Sequence, residues 1–307
     1  MPLFKKLKEI SLEVQEVVGD TIQKAIDDEI MVHGAAIAFY TIFSITPLFI
    51  LVVFLGGIFL SEDIVSQQAS EYLGEYLDEA VLANLIDYIN TRGQDQSGLV
   101  TTVIAAGTVI FGATTVISQL KITLNKIWNV ADITINSIWH YLLNRLLAFG
   151  MIILFSLLLL TSLAAEFVLA IGSTYFSELF PNLQLNFYGI IAQLVTLIFA
   201  ITFFTLIFKI LPDVHARWTD VLVGAFVTTI LFLIGKLLIG VFFSATGIEA
   251  TYRAAGSLVV FIIWVYYNIQ TILLGAVFTQ VYTAKYGGKI KPYKFVSLKN
   301  ISPPLQS

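Results

Sequence analysis

The sequence predicts an all-α fold, a polytopic membrane bundle of six transmembrane helices flanked by amphipathic interfacial helices, on three observations. Hydrophobic residues make up 57% of the 307 positions and charged residues 12%, about half the charged share of a soluble domain. Apolar stretches of about 20 residues recur, the length that crosses a hydrocarbon core about 30 Å thick. Lys and Arg collect in alternate connectors, as expected when cytoplasmic loops are the basic ones.

Residues 1–32 read as a cytoplasmic amphipathic segment, with Leu3, Leu7, Ile10, Val14, Val17, Thr21, Ala25 and Ile26 at helical spacings among Lys and Glu. This pattern suits a helix lying in the membrane interface, and equally a soluble helix packed on the cytoplasmic ends of the bundle. Charge interrupts the first 30 residues throughout, so they lack the apolar run of a signal peptide and the first transmembrane helix is expected to direct insertion.

The membrane domain is placed at residues 33–284. Its first apolar stretch, Gly34 to Leu60, is about 40 Å long as a helix. Pro47 removes a backbone donor near its middle and predicts a kinked or broken helix, with Ser44 or Thr46 satisfying the freed carbonyls. Residues 61–97 form an external amphipathic segment. Seven acidic groups between Glu62 and Asp87 make it a poor match to an anionic membrane surface, so it reads as a cap over the bundle.

The second crossing covers about 98–118, where Gly107, Gly112 and Ala113 allow close helix approach and predict a central position. Between it and the third, Gln119 to Ile138 reads as an interfacial connector anchored by Trp128 and Trp139. The remaining crossings fall at about 142–171, 188–210, 219–243 and 256–282, followed by a basic tail, 285–307, with Pro292, Pro303 and Pro304.

Orientation follows from the cations. The N-terminal segment holds four, the 119–145 connector three, the 209–218 connector two and the tail after residue 282 five, all expected on one face. The opposite face holds only Arg92 and Arg253, a split of 14 to 2 with Lys236 left inside a span. Both termini are therefore expected in the cytoplasm. Cysteine is absent, which excludes disulfides, thiolate metal sites and thiol nucleophiles.

Ionisable side chains inside a span are costly and mark candidate function. Lys236, about two-thirds of the way outward along the fifth crossing, and Glu166, near the outer end of the third, are expected at similar depth. They face a shared polar cavity in one reading, and in the other Lys236 snorkels to the outer headgroups. Tyr40, Ser44 and Thr46 around Pro47, with Asn268 and Gln270 in the sixth span, could hold a substrate near mid-membrane, as broken transporter helices do. Interhelical hydrogen bonding explains the same residues. Arg253 on the outer face completes the candidate set. His33, His140 and His215 all fall near cytoplasmic helix starts but show no ligand spacing, so no metal or cofactor is expected.

Several segments resemble the YihY/BrkB family of bacterial inner-membrane proteins, over about residues 33–288. The resemblance is carried by Ala35-Ala36-Ile37-Ala38-Phe39-Tyr40 through Ser44 and Pro47, Gly112-Ala113-Thr114 through Gln119, and Leu124-Asn125-Lys126-Ile127-Trp128. It continues in Leu211-Pro212-Asp213 with Trp218 and Asp220, in Gly235-Lys236, and in Ala254-Ala255-Gly256-Ser257 through Trp264, Tyr266 and Gly275-Ala276. The chain departs from the family pattern at Arg253, where a small residue is usual, and at Val277, where Glu is usual. The resemblance implies a six-helix protein of the bacterial inner membrane, once labelled a ribonuclease and now treated as uncharacterised or as a transporter.

The expected function is transport or lipid handling through an intramembrane polar cavity, for a small molecule, ion or lipid that the sequence does not specify. The alternative is a structural or assembly protein that docks a partner. A hydrolase is disfavoured, because RNA cleavage needs clustered carboxylates or a His pair, and Asp132, Asp213 and Asp220 are the only acids in the cytoplasmic connectors. The last two read as caps of the fifth helix. Membrane lipids are the expected partners, with the Lys-rich tail attracting anionic lipid rather than nucleic acid, and a homo-oligomer is compatible with the sequence.

Overall fold

The computed structural model describes residues 2–59, 99–131, 138–179, 187–246, 256–288 and 290–292. These form seven helices: α1 (Pro2–Asp27), α2 (Ile30–Phe59), α3 (Leu99–Ile127), α4 (Ile138–Leu179), α5 (Phe187–Ile210), α6 (Trp218–Thr246) and α7 (Gly256–Tyr286). Two short strands, β1 (Val214–His215) and β2 (Lys291–Pro292), pair antiparallel, with Val214 opposite Pro292 and His215 opposite Lys291. The external segment 61–97, Arg92, Arg253, Asp132 and the tail beyond Pro292 lie outside the described residues.

The protein is an all-α membrane protein. Among the described residues, Leu142–Leu169, Gln193–Ile210, Trp218–Phe242 and Val259–Tyr286 are each long and apolar enough to cross a bilayer. The helices pack in sequence order: α2 against α3, α3 against α4, α4 against α5, α5 against α6 and α6 against α7. Helix α7 then returns to α2 and closes the ring, while also touching α3 and α5. Helix α1 packs along α7 and the start of α2, burying Val17 and Thr21. Lys285 pairs with Glu16 at 2.7 Å across that contact. The same helix exposes Val14, Val18, Ile22 and Ile26, so it combines a bundle contact with an apolar outer side.

The densest packing lies at one end of the ring. Leu124, Ile127 and Trp128 of α3, Ile207 and Phe208 of α5, Leu211 and Val214 of the next connector, Val221 and Ala225 of α6, and Leu273, Ala276 and Val277 of α7 are all buried there. The four basic segments meet at the same end. Lys126 pairs with Glu29, Lys121 with Asp213, Lys285 with Glu16, and the α5–α6 connector pairs with the tail.

Away from this end, burial falls off. On α4, Ala148, Met151, Ile152 and Ser156 are buried, whereas Leu157, Leu159, Leu163, Phe167 and Val168 are exposed. On α6 the buried residues Val221, Ala225, Thr228 and Thr229 give way to exposed Leu237, Leu238 and Val241.

Helices α6 and α7 approach closely through a reciprocal pair of Gly-x-x-x-Thr segments. A Cβ at Gly224 would overlap the Thr279 side chain, and one at Gly275 would overlap Thr228. Each hydroxyl returns to its own helix, Thr228 Oγ1 donating to Gly224 O at 2.7 Å and Thr279 Oγ1 to Gly275 O at 2.6 Å. The threonines thus satisfy their polar groups internally and act as small packing residues. Gly235 sits beneath Tyr267 in the same seam, and Tyr267 Oη donates to Leu231 O at 3.1 Å.

Three expectations are corrected. Of the two forms expected for the first crossing, the break is absent: helix α2 is continuous from Ile30 to Phe59, because proline removes a single backbone hydrogen bond and a helix in a membrane bundle tolerates that loss. Trp128 is 1% exposed and belongs to the core rather than to an interfacial anchor. Helix α3 continues through the expected connector to Ile127, and Asn129, at φ 55°, ends it. Val130 N donates to Asn125 O and Asn129 N to Lys126 O, a left-handed C-terminal cap that turns Trp128 inward. Asn129→Val is expected to cost about 1–2 kcal/mol, since a β-branched residue resists positive φ; chemical denaturation in detergent checks it. Helix α3 packs extensively against α2, but not through Gly107, which has nothing near its Cβ position.

Candidate functional site

Lys236 is placed by the stripe that it shares on α6. Ala225, Thr229 and Phe232 lie eleven, seven and four residues before it, hence on one helical face. Ala225 and Thr229 are both fully buried, and Phe232 meets Phe204 of α5 with ring centroids 6.0 Å apart. That stripe therefore faces α5 and the bundle. Lys236 continues it and is exposed, so the packing opens at its level.

Glu166 lies on α4, in helical register with Ala148 about five turns earlier; its side chain is outside those described, as are the side chains of Thr46 and Pro47 on α2. Tyr40 is exposed, meeting Phe39 edge-on at 6.0 Å, and Ser44 is buried. Asn268 Nδ2 donates to Trp264 O of its own helix at 2.6 Å. Gln270 Nε2 donates to Met31 O at 3.2 Å and lies over Gly34. Gln270 thus ties α7 to the first turn of α2, an interhelical hydrogen bond.

The structure assembles a polar network that the sequence did not reveal. Lys121 of α3 is 8% exposed, and its Nζ lies 2.9 Å from Asp213 Oδ1 and 2.9 Å from Asn144 Oδ1 of α4. Asn125 Nδ2 donates to Asp213 Oδ2 at 2.9 Å, and Asp213 N donates to Asn125 Oδ1 at 2.8 Å. Three segments are joined through one ion pair, α3 and the connector at the Asp213 carboxylate and α4 at the Lys121 ammonium. Asp213, expected as a cap, is therefore an ion-pair residue, standing before β1 and apart from the first turn of α6. Asp220 does lie in that turn, where the helix dipole stabilises a carboxylate. Its Oδ1 accepts from Thr219 at 3.2 Å.

The described histidines serve separate contacts. His33 Nε2 lies 2.9 Å from Lys126 Nζ; the ammonium donates the hydrogen bond, so the ring is neutral with Nε2 as acceptor. Burial, and then the Lys126 charge, push the imidazole below its ordinary range. His215 stands on the β1–β2 ribbon, and the side chain of His140 lies outside those described. Arg145 of α4 reaches Thr114 Oγ1 of α3 at 2.9 Å and lies 4.2 Å over the Phe111 ring, a second cation that ties these two helices.

The family described as Virulence factor BrkB matches residues 21–295. A UPF0761 membrane protein of Pasteurella multocida is 26% identical over 243 residues, 78% of this chain and 69% of that protein. One from Bordetella petrii is 25% identical over 265 residues, 83% of this chain and 54% of that protein, so the chain spans about half of that relative's length. One from Idiomarina loihiensis is 24% identical over 216 residues, 67% of this chain and 72% of that protein. No solved structure matches. With a helical bundle of apolar spans and a match over nearly the whole chain, this integral membrane protein belongs to the Virulence factor BrkB family.

Proposed function

We propose that the chain is a transporter or lipid-handling protein of the bacterial inner membrane, not an enzyme, with a polar cavity in the half of the bundle that holds Lys236. One observation carries the reading: Lys236 continues a stripe that is fully buried at Thr229 and Ala225, two and three turns earlier, and half-buried at Phe232, yet it is itself exposed. A charge on the packed face of a membrane helix is costly unless that face meets water or a polar ligand. In this arrangement six crossings place both termini in the cytoplasm, because the four basic segments share the packed end. The opening then faces outward, and Lys236 meets an anionic or polar group of the substrate.

The absence of cysteine makes the test direct. Lys236→Cys is expected to react with a membrane-impermeant thiol reagent added from outside, while Leu237→Cys, on the exposed apolar face, stays protected by lipid. Protection of both overturns the cavity. In proteoliposomes, Lys236→Ala is expected to lower flux of the transported species by about tenfold, the order of one lost charge-assisted contact. Labelled phospholipids and labelled small anions form the two arms, and flux unchanged by the substitution in whichever arm the wild type carries removes Lys236 from the pathway.

A further inference from the structure

We infer that the cytoplasmic ribbon formed by β1 and β2, with the first turn of α6, is a binding site for the headgroup of an anionic phospholipid. The exposed apolar surface of α6 extends to its first residue. Trp218, Leu222, Phe226 and Ile230 follow one another at four-residue steps and are 56%, 45%, 50% and 40% exposed, a continuous apolar ridge. Trp218 is thus the residue at the water boundary, the place that tryptophan favours. Among the tryptophans it takes the anchoring role expected of Trp128.

The groups just outside that boundary are cationic. Arg217 precedes Trp218 and is exposed, and so is Lys291, which pairing of the strands sets opposite His215. Lys209, at the end of α5, holds Ala216 O and lies 5.1 Å over the Trp218 ring, fixing the connector against the indole. The tail comes this close because residue 288 is glycine; a Cβ there would stand 2.5 Å from Arg217 Nε. The nearby acids do not offset these charges at the surface. Asp213 is engaged by Lys121 and Asn125, and Asp220 is 7% exposed.

A phosphate at the membrane surface satisfies this arrangement: the guanidinium supplies directed donors, Lys291 supplies charge, and the acyl chains continue along the α6 ridge. The apolar ridge selects a lipid over a soluble phosphate, and the net positive charge selects an anionic headgroup over a zwitterionic one. The site does not depend on what the cavity carries.

The test uses the full chain in mixed micelles of equal phosphatidylglycerol and phosphatidylcholine, with retained lipid measured by native mass spectrometry. Wild type is expected to retain phosphatidylglycerol selectively. Arg217→Gln with Lys291→Gln should lower that retention about tenfold or more, each cation near an anionic surface contributing about fivefold. Lys24→Gln, whose charge is already paired with Asp28 at 3.0 Å, should leave it unchanged. Equal retention of both lipids by wild type, undiminished retention by the double variant, or displacement by inorganic phosphate overturns the site. A second measurement needs no charge variant. Trp218 emission, taken as the difference between wild type and Trp218→Phe, should be quenched more by brominated phosphatidylglycerol than by brominated phosphatidylcholine, and equal quenching also overturns the proposal.

Discussion

Asp213→Ala is expected to destabilise the bundle by about 3–5 kcal/mol, the range for breaking a buried ion pair from one side. The loss exceeds that of Lys121→Met, and the reason is geometric. The Lys121 side chain is 10% exposed and that of Asp213 23%, so the ammonium is the group that water reaches less. Without Asp213 it keeps, among the described residues, only Asn144 as a partner, whereas without Lys121 the carboxylate still accepts from Asn125. Replacing both, Lys121→Met with Asp213→Leu, should recover much of the difference, because an apolar pair avoids the desolvation that the ions pay. Thermal unfolding in detergent of the two single variants and the double one checks the order. A double variant no more stable than Asp213→Ala would show that Asp213 acts through the Asn125 hydrogen bonds rather than through the charge.

How much of this was legible beforehand depends on the range of the interaction involved. The helical, apolar character of the chain and the last four spans were legible, since length and apolar content are properties of contiguous residues, and so was the gathering of basic segments at one end. The Lys121–Asp213 pair was not, because its partners are 92 positions apart in sequence and meet only when α3 and the α5–α6 connector pack. Lys121 read as one more cytoplasmic cation. Trp128 was misplaced for a related reason: an aromatic residue beside a connector suits an interface or a core, and the left-handed cap at Asn129 decides between them. The break offered at Pro47 is absent, because local propensity does not count the neighbouring helices that let α2 continue through it. Glycine spacing on α3 suggested close approach, but a glycine marks contact only where another helix arrives, as at Gly224 and Gly275 and not at Gly107.

The α6–α7 seam carries the second large effect. Gly224→Ala and Gly275→Ala are each expected to cost about 1–3 kcal/mol, the usual range for overpacking, although alanine is the better helix former. The added Cβ meets a threonine that has little freedom to move: Thr228 and Thr279 are both fully buried, and each hydroxyl is bonded to its own helix one turn back. Relief must come from separating the helices. Gly150→Ala on α4, with nothing within 4 Å of its Cβ position, should be neutral or stabilising by up to about 1 kcal/mol. Combining Gly224→Ala with Thr279→Ala should recover part of the loss, with a coupling of at least about 0.5 kcal/mol in unfolding measurements; strictly additive effects would mean that the seam is looser than its geometry. The consequence reaches the candidate site, because Gly235 beneath Tyr267 continues this seam and directly precedes Lys236. A bundle pushed apart at Gly224 should therefore also change how fast Lys236→Cys reacts with the impermeant reagent, linking the packed end to the open one through a single helix pair.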